Sequence, residues 1–177
     1  MARALWVLGL LVAMALVFYA MRRGWVNRRR RQAAELPAFP TPPSDVDGQR
    51  GRLEPATGFY VGTTRAGDWQ DRVAVGDIGH RAEATARLHD SGLLLERTGA
   101  SPLWIPAESL VDARVDHKLA NKVVPGKGML VVTWRLGDHA VDTGFRADDK
   151  STQDEWASAV RALAPAAGRH DNPEGQA

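Results

Sequence analysis

A long uncharged run near the amino terminus is the feature that most limits what this chain can form. Residues Ala4–Met21 read ALWVLGLLVAMALVFYAM and contain no charged side chain. As an α-helix this run would extend about 27 Å, which is close to the thickness of the hydrocarbon core of a bilayer. Trp6 and Tyr19 lie near its two ends, where aromatic side chains favour the membrane interface. The run therefore predicts one transmembrane helix.

A basic cluster follows the apolar run directly. The residues that we expect to flank the membrane are Arg22, Arg23, Trp25, Arg28, Arg29, Arg30 and Arg31. On the other side, Arg3 and the terminal amine are the only positive charges before the run. Because arginines beside a membrane helix stay on the cytoplasmic side, the predicted orientation has the amino terminus outside. The rest of the chain is then cytoplasmic, attached to the inner membrane by a single span.

A cleaved signal peptide is the alternative explanation of the apolar run. Signal peptides usually carry their positive charge before the run and a site of small residues after it, whereas here the arginines follow. We therefore favour an uncleaved anchor. The alternative would make the protein an exported accessory of envelope assembly or transport.

The remaining charges do not indicate binding to nucleic acid. The formal net charge of the chain is +2, but between Thr57 and Ala164 thirteen Lys and Arg stand against fifteen Asp and Glu. Affinity for a polyanion comes from neutralising many phosphates together, which a mildly acidic domain does poorly. We expect the lipid bilayer and a protein to be the partners of this chain, and not nucleic acid.

Composition divides the chain into four predicted segments. The anchor with its basic flank takes residues 1–31. Residues 32–56 contain five prolines together with Ser, Asp and Gly, which is typical of an extended, solvated linker. Residues 57–164 form the folded domain, and the polar tail of residues 165–177 is expected to be disordered.

Alternation of apolar and polar residues predicts strands through the folded domain. In MLVVTWRL the residues on one face are Leu130, Val132, Trp134 and Leu136. Gly137-Asp138 then forms a two-residue turn of type II′ before the next alternating run, HAVDTGF. A second hairpin joins RAEATARLH to GLLLERTG through Asp90-Ser91-Gly92.

One helix is predicted after the last strand. Ser151 is placed to cap its first turn, and Trp156, Val160 and Leu163 recur at helical spacing on one face. The fold class is thus mainly β, with about seven antiparallel strands and a C-terminal helix that closes the sheet.

Several stretches of the domain carry a family resemblance: YVGTTRAGDWQDRV, DSGLLLER, PLWIPAESL, GMLVVTWRLGD and DTGFR. Together they are similar to a bacterial family, of actinobacterial type, of single-pass membrane proteins with one pleckstrin-homology-like (PH-like) domain. Its members are often labelled only as export or membrane proteins. The resemblance implies a PH-like β-sandwich behind a membrane anchor. It implies no particular activity, although loops of such folds commonly bind headgroups or peptides.

No set of residues indicates catalysis or a bound cofactor. The five histidines lack the spacing of metal ligands, no serine stands in a nucleophile elbow, and cysteine is absent. Acids of the strands alternate as solvent-facing residues do: Asp112, Asp116, Asp138 and Asp142. We expect neither an enzyme nor a cofactor or metal site.

One loop is a candidate for binding. HKLANKVVPGKG contains Lys118, Lys122 and Lys127 and no acid, so it is predicted to form one long basic loop between two strands. It could recognise anionic headgroups, or its valines could contact a protein, or its lysines could serve solubility alone. The leading hypothesis is a binding or scaffold module that recruits a protein partner at the inner membrane. Recognition of anionic lipid headgroups is the alternative.

Overall fold

The computed structural model describes residues 2–46, 50–73, 75, 77–123 and 126–165, and of residues 2–5, 8, 25–35, 122 and 123 it describes the backbone alone. Two compact units divide the chain after Glu35. Of the predicted tail, only Pro165 is among the described residues.

The first unit is the helix α1, Ala2–Glu35. Its large apolar side chains are exposed wherever they are described: Trp6, Val7, Leu10, Leu11, Val12, Met14, Leu16, Val17, Phe18, Tyr19 and Met21. Arg22 and Arg23 are exposed as well, while the side chains of the other predicted membrane-flanking residues lie outside the described set. None of the helices in the described part of the chain combines the length and the apolar character that crossing a membrane requires.

The second unit is mainly β, as predicted. Its described elements are β1 Ala56–Arg65, β2 Ala82–His89, β3 Gly92–Arg97, β4 Leu103–Pro106, β5 Leu110–Asp116, β6 Lys118–Leu119, β7 Lys122–Val123, β8 Met129–Leu136, β9 His139–Ala147 and α2 Gln153–Leu163. Seven strands form one antiparallel sheet in the order β4-β3-β2-β1-β9-β8-β5. The strands β6 and β7 pair only with each other.

Both predicted hairpins are confirmed. The strands β8 and β9 pair up to Leu136 and His139, so that Gly137 and Asp138 form the turn. Gly137 has a φ of 59°, which is what the first position of a type II′ turn requires. The strands β2 and β3 pair up to His89 and Gly92, so the turn consists of Asp90 and Ser91, and Gly92, which was predicted to lie in the turn, belongs to β3.

The sheet has to curl because its two edge strands follow each other in sequence. A short 3₁₀ turn, Ala107–Ser109, joins the end of β4 to the start of β5. Four residue steps span at most about 14 Å. In a flat sheet, six strand spacings would hold the edges about 29 Å apart. The connection therefore bends the sheet around an enclosed core, and α2 packs against β5 and β8.

The inner face of the curled sheet is apolar in the alternating pattern that the sequence predicts. All four predicted residues of β8 are at most 2% exposed, and Trp134 is fully buried. Trp156 and Val160 of α2 join the same core, with Leu163 partly buried beside it. The predicted cap was wrong by one residue: Thr152 is the N-cap, and it makes no side-chain capping bond.

The structure differs from the predicted solvated linker. Leu36 and Val46 are buried, and the ring of Phe39 meets that of Trp134 edge-on at 6.1 Å between centroids. Prolines keep this segment out of helices and sheets, but they do not prevent the apolar residues between them from packing. We call residues 36–46 and 50–55 the strap. The folded unit therefore begins near residue 36 instead of residue 57.

A chain of buried hydrogen bonds runs through the core. The Tyr60 hydroxyl donates to the carbonyl oxygen of Ile78 (2.8 Å) and lies 2.9 Å from Thr63 Oγ1. Thr63 Oγ1 lies 2.9 Å from Thr143 Oγ1, which accepts from Trp134 Nε1 (2.9 Å). Each of these polar side chains thus has a partner, which makes their burial tolerable.

The Tyr60 hydroxyl gives this core a testable dependence on pH. Burial raises the pKa of Tyr60 from 10.0 to about 12. Between these values the unfolded chain releases a proton that the folded chain keeps, so stability present below pH ~10 is lost as the pH rises towards ~12. Urea unfolding across this range should show the loss in the unsubstituted protein and a smaller loss in Tyr60→Phe. An equal loss in both would contradict the buried position of the hydroxyl.

Candidate binding surface

Two paired glycines on the outer face of the sheet lie directly beneath the predicted binding segment. Gly62 of β1 and Gly144 of β9 are cross-strand partners, and neither has a side chain to cover the backbone. A Cβ atom at Gly144 would collide with Leu119 Cδ2, and one at Gly62 would lie 2.8 Å from a guanidinium nitrogen of Arg72 and 3.1 Å from the Cβ of Ala120. The paired glycines therefore make room for the strand pair β6–β7 to lie directly on the sheet.

The strands β6 and β7 form a tight hairpin where a long loop was predicted. Its two turn residues, Ala120 (φ 50°) and Asn121 (φ 61°), have the positive φ values of a type I′ turn. This conformation costs an alanine about 1 kcal/mol. Leu119 and Ala120 offset that cost because both are 1% exposed, in a second apolar cluster with Val61, Met129 and Val131.

Hydrogen bonds fix the hairpin at both ends. At the tip, the backbone N–H of Asn121 donates to Trp69 O (3.1 Å), and its side-chain amide donates to Gln70 O (3.3 Å). At the base, Asp116 Oδ1 accepts from the backbone N–H groups of the next two residues, at 2.6 and 3.2 Å. The hairpin is therefore held at its tip, at its base and along its underside.

The three predicted lysines do not form a single cluster. Lys118 lies on β6 with an exposed side chain, opposite Val123. Lys122 lies on β7 opposite Leu119, and its side chain lies outside the described set. Lys127 is exposed but follows the hairpin, just before β8. The structure thus places two of the lysines on one hairpin without pairing them, and the third beyond it.

The fold brings acids to this surface that the loop sequence lacks. Burial alone would raise the pKa of Asp116, but the two backbone N–H groups and Arg114 together hold it below its ordinary value. The hydroxyl and backbone N–H of Ser151 lower the pKa of Asp149, and Lys127 contributes to the same effect. Both carboxylates are therefore charged at neutral pH, and the surface is less positive than its three lysines indicate.

Comparison with known proteins places this domain in a family. The sequence model of a family described as "Bacterial PH domain-like" matches residues 36–161. The chain belongs to this family. The match begins where the folded unit begins, at the strap, and it supports the PH-like fold predicted from the sequence. A domain of this kind indicates a binding or scaffold module.

Two further comparisons add little to the family assignment. One chain of a solved structure titled "The 8S snRNP Assembly Intermediate" is 13% identical, with a TM-score of 0.47. The similarity covers 78% of our chain and 96% of that chain, and at this level it carries no argument about function. No curated protein matches the sequence.

Sequence patterns did not predict an ion pair of the PH-like domain whose acid is buried. Asp142, predicted to face solvent, is 4% exposed. One oxygen accepts from an Arg114 nitrogen at 2.9 Å, and the other accepts from Thr133 Oγ1 at 2.6 Å. The alternation correctly predicts that Asp142 points away from the core. It cannot predict that β8 lies between β5 and β9, where Thr133 of β8 and Arg114 of β5 both reach Asp142. No group of three or more potential metal ligands occurs among the described residues.

Replacing Gly144 tests whether the glycine patch positions the hairpin. In Gly144→Ala the added methyl group would meet Leu119 where Met129 and Val61 already pack, so we expect a loss of about 1–3 kcal/mol in the free energy of unfolding. Amide hydrogen exchange in residues 118–123 should become faster. The double variant Gly144→Ala/Leu119→Ala removes the collision and should lose less stability than the two single changes combined. Simple additivity would show that the two residues do not meet.

Proposed function

We propose that this protein is a membrane-anchored PH-like module that recruits a protein partner at the cytoplasmic face of the inner membrane. The exposed apolar side chains of α1, in a chain that also carries a domain of the PH-like family, are the observation that carries the proposal. Anchor and domain have separate tasks in this proposal. The helix sets the location, and the domain supplies the contact with the partner.

The apolar run supports the anchor. Trp6 is 81% exposed and Phe18 is 67% exposed, although a soluble protein rarely exposes a large continuous apolar surface. Each Å² of that surface gains about 25 cal/mol when it leaves water, and a bilayer removes all of it at once. Ala4, Leu5 and Leu8 belong to the run but lie outside the described side chains, so its length is taken from the sequence.

The hairpin is the part of the domain that we propose for recruitment. Addition of a partner strand is disfavoured at both edges of the sheet, because β4 is short and ends at Pro106 while Arg161 of α2 already donates to the carbonyl oxygen of Ala113 on β5. The hairpin, in contrast, is held firmly and presents Lys118 to solvent. A partner at this surface would have to complement both Lys118 and the charged Asp116.

A pair of charges in the apolar run tests the anchor. Leu11→Arg/Leu16→Arg would place two arginines in the bilayer core at a cost of about 3 kcal/mol each, so we expect the protein to leave the membrane pellet after carbonate washing. The matched control Leu11→Ala/Leu16→Ala stays apolar and should remain in the pellet. A carboxyl-terminal tag should resist protease in intact spheroplasts and be digested after lysis. Digestion before lysis would favour the exported alternative.

Photo-cross-linking in cells tests recruitment by the hairpin. A benzoylphenylalanine in place of Lys118 should yield one discrete protein adduct, because the hairpin faces the partner. As the matched control, benzoylphenylalanine replaces Arg135, an exposed residue near the C-terminal end of β8, and should yield no protein adduct. The adduct at Lys118 should weaken when Gly144→Ala displaces the hairpin. Failure to form any adduct at Lys118 would contradict recruitment at this surface.

Recognition of anionic lipid headgroups by Lys118, Lys122 and Lys127 is the second candidate function. The exposure of Lys118 and Lys127 favours it, whereas the nearby charges of Asp116 and Asp149 oppose it. The cross-linking experiment separates the two functions. A phospholipid adduct without a protein adduct at Lys118 would favour the lipid function.

A further inference from the structure

Prolines hold the first part of the strap in an extended conformation. We call residues 37–43, which read PAFPTPP, the proline segment. Proline fixes its own φ at about −65° and keeps the residue before it extended, so every residue of the segment except Ala38 is restricted. The segment forms neither helix nor strand with the rest of the domain. These restrictions favour a polyproline II helix, which has about three residues per turn.

The three-residue repeat gives the proline segment three edges. Phe39 and Pro42 share the edge that faces the domain, because both are half-buried and the Phe39 ring meets that of Trp134. The second edge consists of three prolines: Pro37, Pro40 and Pro43. Its first and last rings are exposed and its middle ring is half-buried. Ala38 and Thr41, on the third edge, are exposed. Two edges of the segment thus face solvent.

The backbone of the proline segment is open to a partner as well. Among the described residues, its single backbone hydrogen bond is the one that the Val46 N–H donates to the carbonyl oxygen of Pro43, at 3.3 Å. The carbonyl oxygens before Pro43 therefore have no donor within the described part of the chain. Grooves that bind polyproline II helices are lined by aromatic side chains, and the Trp N–H and Tyr O–H groups are donors for such carbonyls.

Contacts on both sides fix the proline segment on the domain. Leu36, just before it, is 6% exposed, and Val46, shortly after it, is 1% exposed. Pro37 lies against the turn between β8 and β9, since a Cβ atom on Gly137 would lie 2.9 Å from Pro37 Cγ. A free linker loses conformational freedom when it binds a partner, whereas this segment is already ordered. The domain therefore presents the segment in a form that is ready to bind.

We propose that the proline segment is a docking site for a protein domain whose groove is lined by aromatic rings. Such grooves pack against the rings of a preformed polyproline II helix. The sequence from Leu36 to Ser44 contains no charged residue, so a lipid headgroup finds no counter-charge there. The segment contacts Trp134 and Gly137, whereas the hairpin packs with Val61, Met129 and Val131. The docking site is thus separate from the surface proposed for recruitment.

The test is photo-cross-linking of the full chain in freshly lysed native cells, with benzoylphenylalanine in place of Thr41. We expect one protein adduct, and its cross-linked peptide, identified by mass spectrometry, should contain Trp or Tyr. Excess decaproline should displace the partner and remove the adduct, because this peptide forms a polyproline II helix. A Gly-Ser peptide of equal length should not. Gly144→Ala, which displaces the hairpin, should leave this adduct unchanged.

Two variants connect the adduct to the exposed prolines. Pro40→Ala/Pro43→Ala removes two ring methylene groups at each position, so the adduct should decrease about tenfold or more. The matched control Pro55→Ala changes an exposed proline of the strap outside the segment and should have no effect. An adduct that decaproline leaves intact, or that a folded double variant still forms fully, would overturn the proposal. No protein adduct at Thr41, or an adduct with lipid or a second copy of this chain alone, would do the same.

Discussion

The short connection between β4 and β5 is the constraint on which the rest of the domain depends. Because it joins the two outermost strands of a seven-stranded sheet, the sheet can exist only in a strongly curled form. Curling encloses the inner side chains of every strand around Trp134 and Tyr60. It also leaves one side for α2, which covers that side with Trp156 and Val160. The core, the helix and the buried hydrogen-bond chain all follow from this one turn.

The outer face of the curled sheet is covered by two separate segments. The hairpin β6–β7 lies on β1, β8 and β9, where the glycine pair makes room for Leu119. The strap contacts both faces: Leu36 and Phe39 pack with the central core near Trp134, whereas Val46 packs against Leu94 and Trp104 on β3 and β4. Each segment puts its own small apolar cluster on the face that a simple two-layer fold would leave to solvent. The candidate binding features lie with these covering segments and not in the central core.

The sequence predicts the parts of this fold that depend on local alternation. Two hairpins and the inward face of α2 follow from the period of their apolar residues and from turn glycines such as Gly137. The strap could not be predicted in this way, because its apolar residues are separated by prolines and polar residues and do not recur with a period of two: Leu36, Phe39, Val46 and Leu53. Leu119 is equally isolated, and the glycines that receive it are distant in sequence. Positions 62 and 144 become neighbours only once the register of β1 and β9 is known.

The strap is held on the domain mainly by its apolar residues. Burial of Val46 contributes about 1.5–3 kcal/mol to attachment of the strap. The ion pair of Arg52 with Asp90, at 2.5 Å, adds little, because its side chains are 45% and 83% exposed and solvent screens their charges. His89 is 2% exposed and neither of its ring nitrogens has a hydrogen-bond partner among the described residues, which lowers the stability of this region. The strap, which begins directly after α1 in the sequence, is therefore held by its apolar contacts and not by its ion pair.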